Sequence, residues 1–418
     1  MTKAMNHEKL QRTRYYLATL ENDSAQQHLY RVSTIDESLK PECLSCAIKS
    51  ATNDNFCLYN EAKLSPNGSR YLLTCAGPSV PDISIYNSAN ATRLIAWEDN
   101  DMIAKIVAEK SQPIVKRFSV PVADGFDAQV RLLIPPGADL TGSTKYPMLV
   151  YVSVITALIS AKLFGDKQRS KVNHQYQIDV DPYGGPDTYQ VTEQFNIHWG
   201  TYLVTNKNII YAAIDGRGSG LKGSNMLFAG YRNLGTVEIY DQINVTSSYP
   251  LFYIEECNPE LQNHLHENLP YIDKTRTAIW GWSYGGYAAG MSLAMDTKST
   301  FKCGMSVAPV TDWTLYDSIY TERFMGLPTP SDNVGGYEQG QLLNKAANIK
   351  SNSYYLIHGT LDDNVHYQQS LLLAKILEEN DILFRQQTYT DEDHGILRTR
   401  AHLYHSLEKF LDDCLIKS

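Results

Sequence analysis

The 418 residues carry a formal net charge of −9, with 20% charged and 43% hydrophobic residues. This is an ordinary globular composition, long enough for about two to three domains, and its acidic balance argues against nucleic acid or an anionic membrane surface as the main partner. Tyrosine reaches 28 residues, which suits β-rich packing and aromatic-lined pockets.

The chain opens with MTKAMNHEKLQR, which has no apolar core for a signal peptide or anchor. Residues 1 to about 100 then read as a β meander, with short strands at 15–18, 28–32, 61–64, 71–75 and 83–86. The turn Pro66-Asn67-Gly68 separates two of them. Such spacing means a sandwich, a barrel or propeller blades, and this length amounts to about two four-stranded blades. Cys43 and Cys46 form a C-x-x-C, while Cys57 and Cys75 flank a hairpin. Zinc competes with disulfides for these four, but no histidine lies beside them at ligand spacing, so disulfides in an oxidising compartment are favoured and no metal is expected. Sequons at Asn22, Asn67, Asn90 and Asn244 point to the same secretory route.

From about residue 114 the pattern changes. Segments 114–122, 128–134 and 146–152 read as the antiparallel opening strands of an α/β sheet. Apolar strands follow at 209–215, 277–280 and 354–359, with helical stretches at 366–379 and 402–416 between and after them. Alternating strands and helices predict a mostly parallel, doubly wound sheet covered on both faces. Two segments interrupt this order, 153–180 and 248–264. The apolar stretch 148–164 contains Lys162 and sits inside a folding sheet, which makes it a poor membrane span.

The chemistry centres on 277–287, TAIWGWSYGGY. A strand, a sharp Gly-x-Ser-x-Gly turn and a small-residue helix are what a nucleophile elbow requires. Ser283 is therefore the expected nucleophile. A serine hydroxyl needs a histidine to take its proton and an acid to orient that histidine. Downstream, the loop after strand 354–359 supplies Asp362, with Asp363 as the weaker choice, and the loop after the next strand supplies His394. Either aspartate also suits the start of the following helix as a cap. The backbone N–H of Tyr284 is the expected oxyanion donor, and Tyr183, in the turn DPYGGP, is placed to add a phenol.

The motifs GWSYGGYA, IDGRGSG, YDSIYTERFMGLPTP, HGTLDDNVHYQQS and YTDEDHGI closely resemble the dipeptidyl peptidase IV family of the prolyl oligopeptidase clan. The resemblance runs from about residue 10 to the end, outside the two interrupting segments. It implies an α/β-hydrolase over 111–418, preceded over 1–110 by the late blades of a β-propeller. It also implies a serine exopeptidase that releases X-Pro or X-Ala dipeptides from peptide N-termini, without cofactor. Ser283, Asp362 and His394 fall on the family triad and Tyr183 on its oxyanion tyrosine. Val310, Trp313, Tyr316, Tyr320, Asn364 and Val365 fall on the pocket for the penultimate proline, and Asp317 matches the aminopeptidase-type members. The pairs Cys43–Cys46, Cys57–Cys75 and Cys303–Cys414 match family disulfides, and Cys257 is left over.

The early blades that carry the family's amine-binding glutamates have no counterpart here, nor does its N-terminal anchor. The resemblance implies an extracellular or membrane-associated protein, with a homodimer formed through the hydrolase domain. Two other readings stay open: a scaffold that has lost activity, and a general esterase. Deleting 153–180 would join strand 146–152 directly to the turn at 181, as the family has it, so both interrupting segments read as retained intron sequence. Mass spectrometry of the protein from its natural source should then recover no peptide from within 153–180; finding one would overturn this reading.

Overall fold

The computed structural model describes residues 3–4, 13–152, 186–247 and 265–417. Both interrupting segments, Tyr183 and Cys257 lie outside the described residues. Two eight-stranded sheets divide the rest.

The first sheet contains β1 (Lys3–Ala4), β2 (Thr13–Leu20), β3 (Asp23–Ser33), β4 (Glu42–Cys43), β5 (Tyr59–Leu64), β6 (Arg70–Gly77), β7 (Asp82–Asn87) and β8 (Arg93–Glu98). Its order is β1-β2-β3-β5-β6-β7-β8, with β4 beside β3. The pairings are antiparallel except at Gln27↔Tyr59, a parallel bridge between β3 and β5. That bridge joins two antiparallel meanders, which are the propeller blades read from the turn spacing. Alternation along β6 and β7 buries Tyr71, Leu73 and Tyr86 with Leu29.

Two elements here are not anticipated by the sequence pattern. Strand β8 and the helix Asp101–Ala108 bury no residue, and their apolar side chains, among them Trp97, Met102 and Ile106, are exposed.

The second sheet contains β9 (Ile114–Pro121), β10 (Asp127–Ile134), β11 (Tyr146–Val152), β12 (Ile210–Asp215), β13 (Ile272–Trp282), β14 (Cys303–Val307), β15 (Tyr354–Gly359) and β16 (Arg385–Tyr389). They lie in the order β16-β15-β14-β13-β11-β12-β10-β9. Strands β9 and β10 are antiparallel as expected. Strand β11 is not: it runs parallel to both β12 and β13. The chain leaves β11 by a long connection before entering β12, and such crossovers return it to the same end of the sheet.

Because β12 and β13 flank β11 on opposite sides, the winding reverses there. A crevice opens at the carboxyl ends of the strands at such a point. The central strands β12, β14 and β15 are buried at every residue, the signature of a sheet covered on both faces. One cover includes the helix Tyr284–Met295, and the other includes Arg400–Leu411.

Arg117 on β9 ties the two sheets together. Its guanidinium takes both carboxylate oxygens of Asp23 on β3 at 2.9 and 2.8 Å, and Glu193 at 2.6 Å. The same stretch donates from Glu193 N to Ala25 O and from Phe195 N to Ala76 O, at 2.9 and 2.8 Å.

All three disulfides implied by the resemblance are present: Cys43–Cys46, Cys57–Cys75 and Cys303–Cys414. The last spans 111 residues and fastens the start of β14 to the turn that ends the final helix. Replacing Cys303 and Cys414 together by serine should lower the unfolding free energy by about 2–5 kcal/mol, since so long a loop is released in the unfolded chain. Denaturant unfolding monitored by tryptophan fluorescence measures this.

Candidate active site

Strand β13 ends in Trp282, and the helix Tyr284–Met295 starts two residues later. Ser283 makes the whole turn alone, at φ 60° and ψ −124°. Such a conformation costs an L-residue about 1–3 kcal/mol and persists only where its surroundings impose it. Here Ser283 N donates to Val307 O at 2.8 Å, and Tyr287 N donates to Ser283 O at 3.0 Å. Glycine is needed at 281 because a Cβ there would stand 2.3 Å from Gly285 C and 2.6 Å from Val152 O. The serine is placed at the helix N-terminus, where backbone N–H groups and the helix dipole favour negative charge.

Asp362 follows β15 and is 6% exposed, whereas Asp363 is exposed to solvent. Its Oδ1 accepts from the backbone N–H groups of Asn364 and Val365 at 3.0 and 2.9 Å. Its Oδ2 lies 2.6 Å from His394 Nδ1 and 3.0 Å from His358 Nε2. One oxygen thus closes a local turn and the other meets the histidines; the following helix begins only at Gln368, after Tyr367, so neither aspartate caps it. Burial alone would raise the Asp362 carboxyl, but the hydrogen bonds from His358 and His394 outweigh it and hold it well below the usual carboxylate range.

His394 lies in the loop after β16 and is 5% exposed. Trp282, the neighbour of Ser283, donates from Nε1 to His394 O at 3.0 Å. Arg400 donates to Gly395 O at 2.9 Å and places its guanidinium over the Trp282 ring. The loop comes so close to β15 that a Cβ on Gly359 would stand 2.4 Å from Glu392 O. These contacts join His394 to Asp362 and hold the His394 loop against Trp282, the residue before Ser283; all three sequence-predicted residues are buried.

The predicted pocket residues also gather beside the elbow. Trp313 is 1% exposed and stacks on Tyr320 at 6.1 Å between ring centres, with Tyr284 at 5.4 Å and Tyr316 edge-on at 6.1 Å. Val310 and Val365 are fully buried. Tyr316 donates its hydroxyl to Asn364 Oδ1 at 2.8 Å, and Asn364 N bonds Asp362, so ring cluster and acid share one loop. Tyr284 donates its hydroxyl to Glu238 Oε1 at 2.8 Å. Burial pushes the Glu238 carboxyl up, against the bonds from Gly235 N and Tyr284.

Sequence reasoning passed over His358 and Glu238. Each is one polar residue inside an apolar or amphipathic run, and nothing local distinguishes it; only its position four residues before Asp362 could have flagged His358.

Profile comparison gives the lineage. The pattern of the prolyl oligopeptidase family matches residues 194–250 and 260–418. The chain belongs to the prolyl oligopeptidase family. Residues 2–82 match the dipeptidyl peptidase IV N-terminal region. The chain is 44% identical over 401 residues to the venom dipeptidyl peptidase 4 of Apis mellifera, covering 96% of this chain and 45% of that protein. Against dipeptidyl peptidase 4 of Sus scrofa it is 36% identical over 390 residues, covering 93% and 44%. The crystal structure of Porphyromonas gingivalis dipeptidyl peptidase 4 superposes with a TM-score of 0.76 at 29% identity, over 96% of this chain and 48% of that one. The chain thus spans under half the length of these relatives. Its fold is an α/β-hydrolase preceded by β-propeller blades.

The elbow can be tested through Gly281. Gly281→Ala has only backbone atoms to displace, so it should destabilise the protein by about 1–3 kcal/mol. It should also slow labelling of Ser283 by a fluorophosphonate at least about tenfold, because the strained turn no longer presents the hydroxyl. Thermal melts and timed labelling read the two effects.

Proposed function

We propose that this chain is a serine exopeptidase that releases X-Pro and X-Ala dipeptides from peptide N-termini. The observation that carries this is the 2.6 Å contact of His394 Nδ1 with a buried Asp362, beside an elbow serine and a cluster of aromatic rings. The dipeptidyl peptidase relatives support the same reading.

In this reaction Ser283 Oγ attacks the carbonyl carbon of the proline at the second position, and the bond from that carbon to the next residue's nitrogen breaks. His394 takes the serine proton through Nε2 while Asp362 steadies Nδ1–H, then returns the proton to the departing amine. The backbone N–H of Tyr284, with the phenol of Tyr183, receives the oxyanion. Water repeats the sequence on the acyl-enzyme and frees the dipeptide. No step calls for a metal or organic cofactor. Val310, Trp313, Tyr316, Tyr320 and Val365 hold the flat pyrrolidine, whose rigid ring suits stacked aromatic walls. Asn364 keeps Tyr316 upright, as their 2.8 Å bond suggests.

We assign the propeller portion to 1–110 and the catalytic portion to 111–418. Three disulfides favour an oxidising, extracellular or membrane-associated setting. Among the described residues, no helix is long and apolar enough to cross a membrane. Exposed Asn22, Asn67 and Asn90 suit glycosylation. Asn244 suits it less, because its acceptor partner Thr246 is fully buried. A homodimer would form through the hydrolase portion.

A fluorogenic Gly-Pro substrate and a short acyl ester, each assayed with Ser283→Ala, test the proposal. Gly-Pro turnover that Ser283→Ala abolishes is expected; ester turnover alone favours a general esterase, and neither favours a scaffold. Asp362→Asn should cut turnover by roughly three to four orders of magnitude, and Asp363→Asn should leave it within about twofold. Activity should fall on acidification, since a general base acts only in its neutral form. Asp362 does not set this limb. With its folded carboxyl depressed, its stabilisation is complete above the ordinary carboxylate range and is lost only as pH falls through the depressed value. A rate profile flat down to pH 4 would contradict the assignment of His394.

A further inference from the structure

A second buried imidazole touches the proposed acid. His358 lies in β15 and is 1% exposed. Its Nε2 is 3.0 Å from Asp362 Oδ2 and 2.8 Å from Val365 O. A carbonyl oxygen can only accept, so Nε2 carries a proton and donates. On the other side of the ring, Nδ1 lies 2.6 Å from the Ser370 hydroxyl, which can donate to it. The Tyr367 ring stands edge-on at 5.5 Å. Partners on three sides therefore fix both the plane and the tautomer of this histidine.

We propose that His358 is the positioning residue of the acid in the triad. Its Nε2–H shares the carboxylate oxygen that faces His394, which fixes the Asp362 side chain and weakens its pull on the His394 ring. This rests on the triad reading above. The carboxylate has four donors: two backbone N–H groups on Oδ1 and two imidazoles on Oδ2. The two backbone N–H groups also stiffen the loop that follows β15. Among the described residues, only His358 reaches the acid from inside the sheet, so it anchors Oδ2 to β15 rather than to a loop.

The shared oxygen has a chemical consequence. A carboxylate oxygen relieved of one donor becomes a stronger base towards the other. Without His358, Oδ2 would hold the imidazolium form of His394 to higher pH and would also be free to rotate away from it. Other charged groups near the His394 loop are Arg400 on the final helix and the Glu392–Arg398 pair at 3.3 Å. None of them touches Asp362 or His358, so substitution of His358 leaves them in place.

Three variants of the whole chain separate this role from simple core packing. His358→Phe fills the space and removes the donor. His358→Gln keeps an amide N–H near the position of Nε2. His358→Asn carries the same amide one methylene short. Turnover of the Gly-Pro substrate should fall about tenfold or more in kcat in the Phe and Asn variants, with KM within about twofold, and should largely recover in Gln. The pH midpoint of Ser283 labelling by a fluorophosphonate should rise by about half a unit or more in Phe and Asn, but not in Gln. Should the Phe variant fail to fold, the Asn and Gln pair decides alone.

NMR titration of the His394 ring signals, assigned with His394→Gln, reads the same shift without any turnover. A parent chain inactive on Gly-Pro would therefore defeat the exopeptidase reading and still leave this one answerable. Unmoved midpoints in folded Phe or Asn variants, or equal behaviour of Asn and Gln, would overturn the role of His358.

Discussion

A carboxylate with almost no access to water is costly unless each oxygen is met by donors, and Asp362 is the place where this structure meets that demand. Two backbone N–H groups close the turn after β15, and two imidazoles arrive, one from β15 itself and one from the loop after the neighbouring β16. Geometry that satisfies the charge also fixes the loop, the direction of His394 and, through Asn364, the tilt of Tyr316. The ring cluster and the acid are parts of one hydrogen-bonded unit.

The elbow obeys a complementary rule. There the surroundings hold a residue in a conformation it would not choose, and the cohesion of β11, β13 and β14 supplies the means. Ser283 N is committed to Val307 O on the neighbouring strand. Trp282 reaches across to the carbonyl of His394 and carries the guanidinium of Arg400 on its face. A strained serine and the loop that carries His394 are thereby referenced to one tryptophan.

How much of this could be read in the sequence depends on whether the signal was local. The elbow was legible because Gly281 and Ser283 announce a backbone constraint within five residues. Strand β15 was legible because it is buried on both faces and ends at Gly359. Asp362 over Asp363 was a choice between adjacent like residues, and only burial separates them. The direction of β11 was misread because its two neighbours lie about 60 and 130 residues ahead in the chain, and no pattern within a strand records which way its partner runs. Strand β8 and the helix beside it were missed for the opposite reason, since they bury nothing. His358 carries no local mark beyond its position four residues before Asp362. Its meaning comes from an oxygen on the next turn.

The clasp at Arg117 bears on how the molecule can be divided. Glu193, one of its partners, stands in the stretch that leads away from the turn containing Tyr183, and Asp23, the other, belongs to a blade strand. The blade sheet is thus a fixed bearing from which that stretch is surveyed, and the catalytic sheet does not hold the reference by itself. Inheritance should respect this seam. Gene fusions or exon losses that separate the last blades from the hydrolase would leave Arg117 and Glu193 without Asp23, so the two pieces share a seam even though each has its own core.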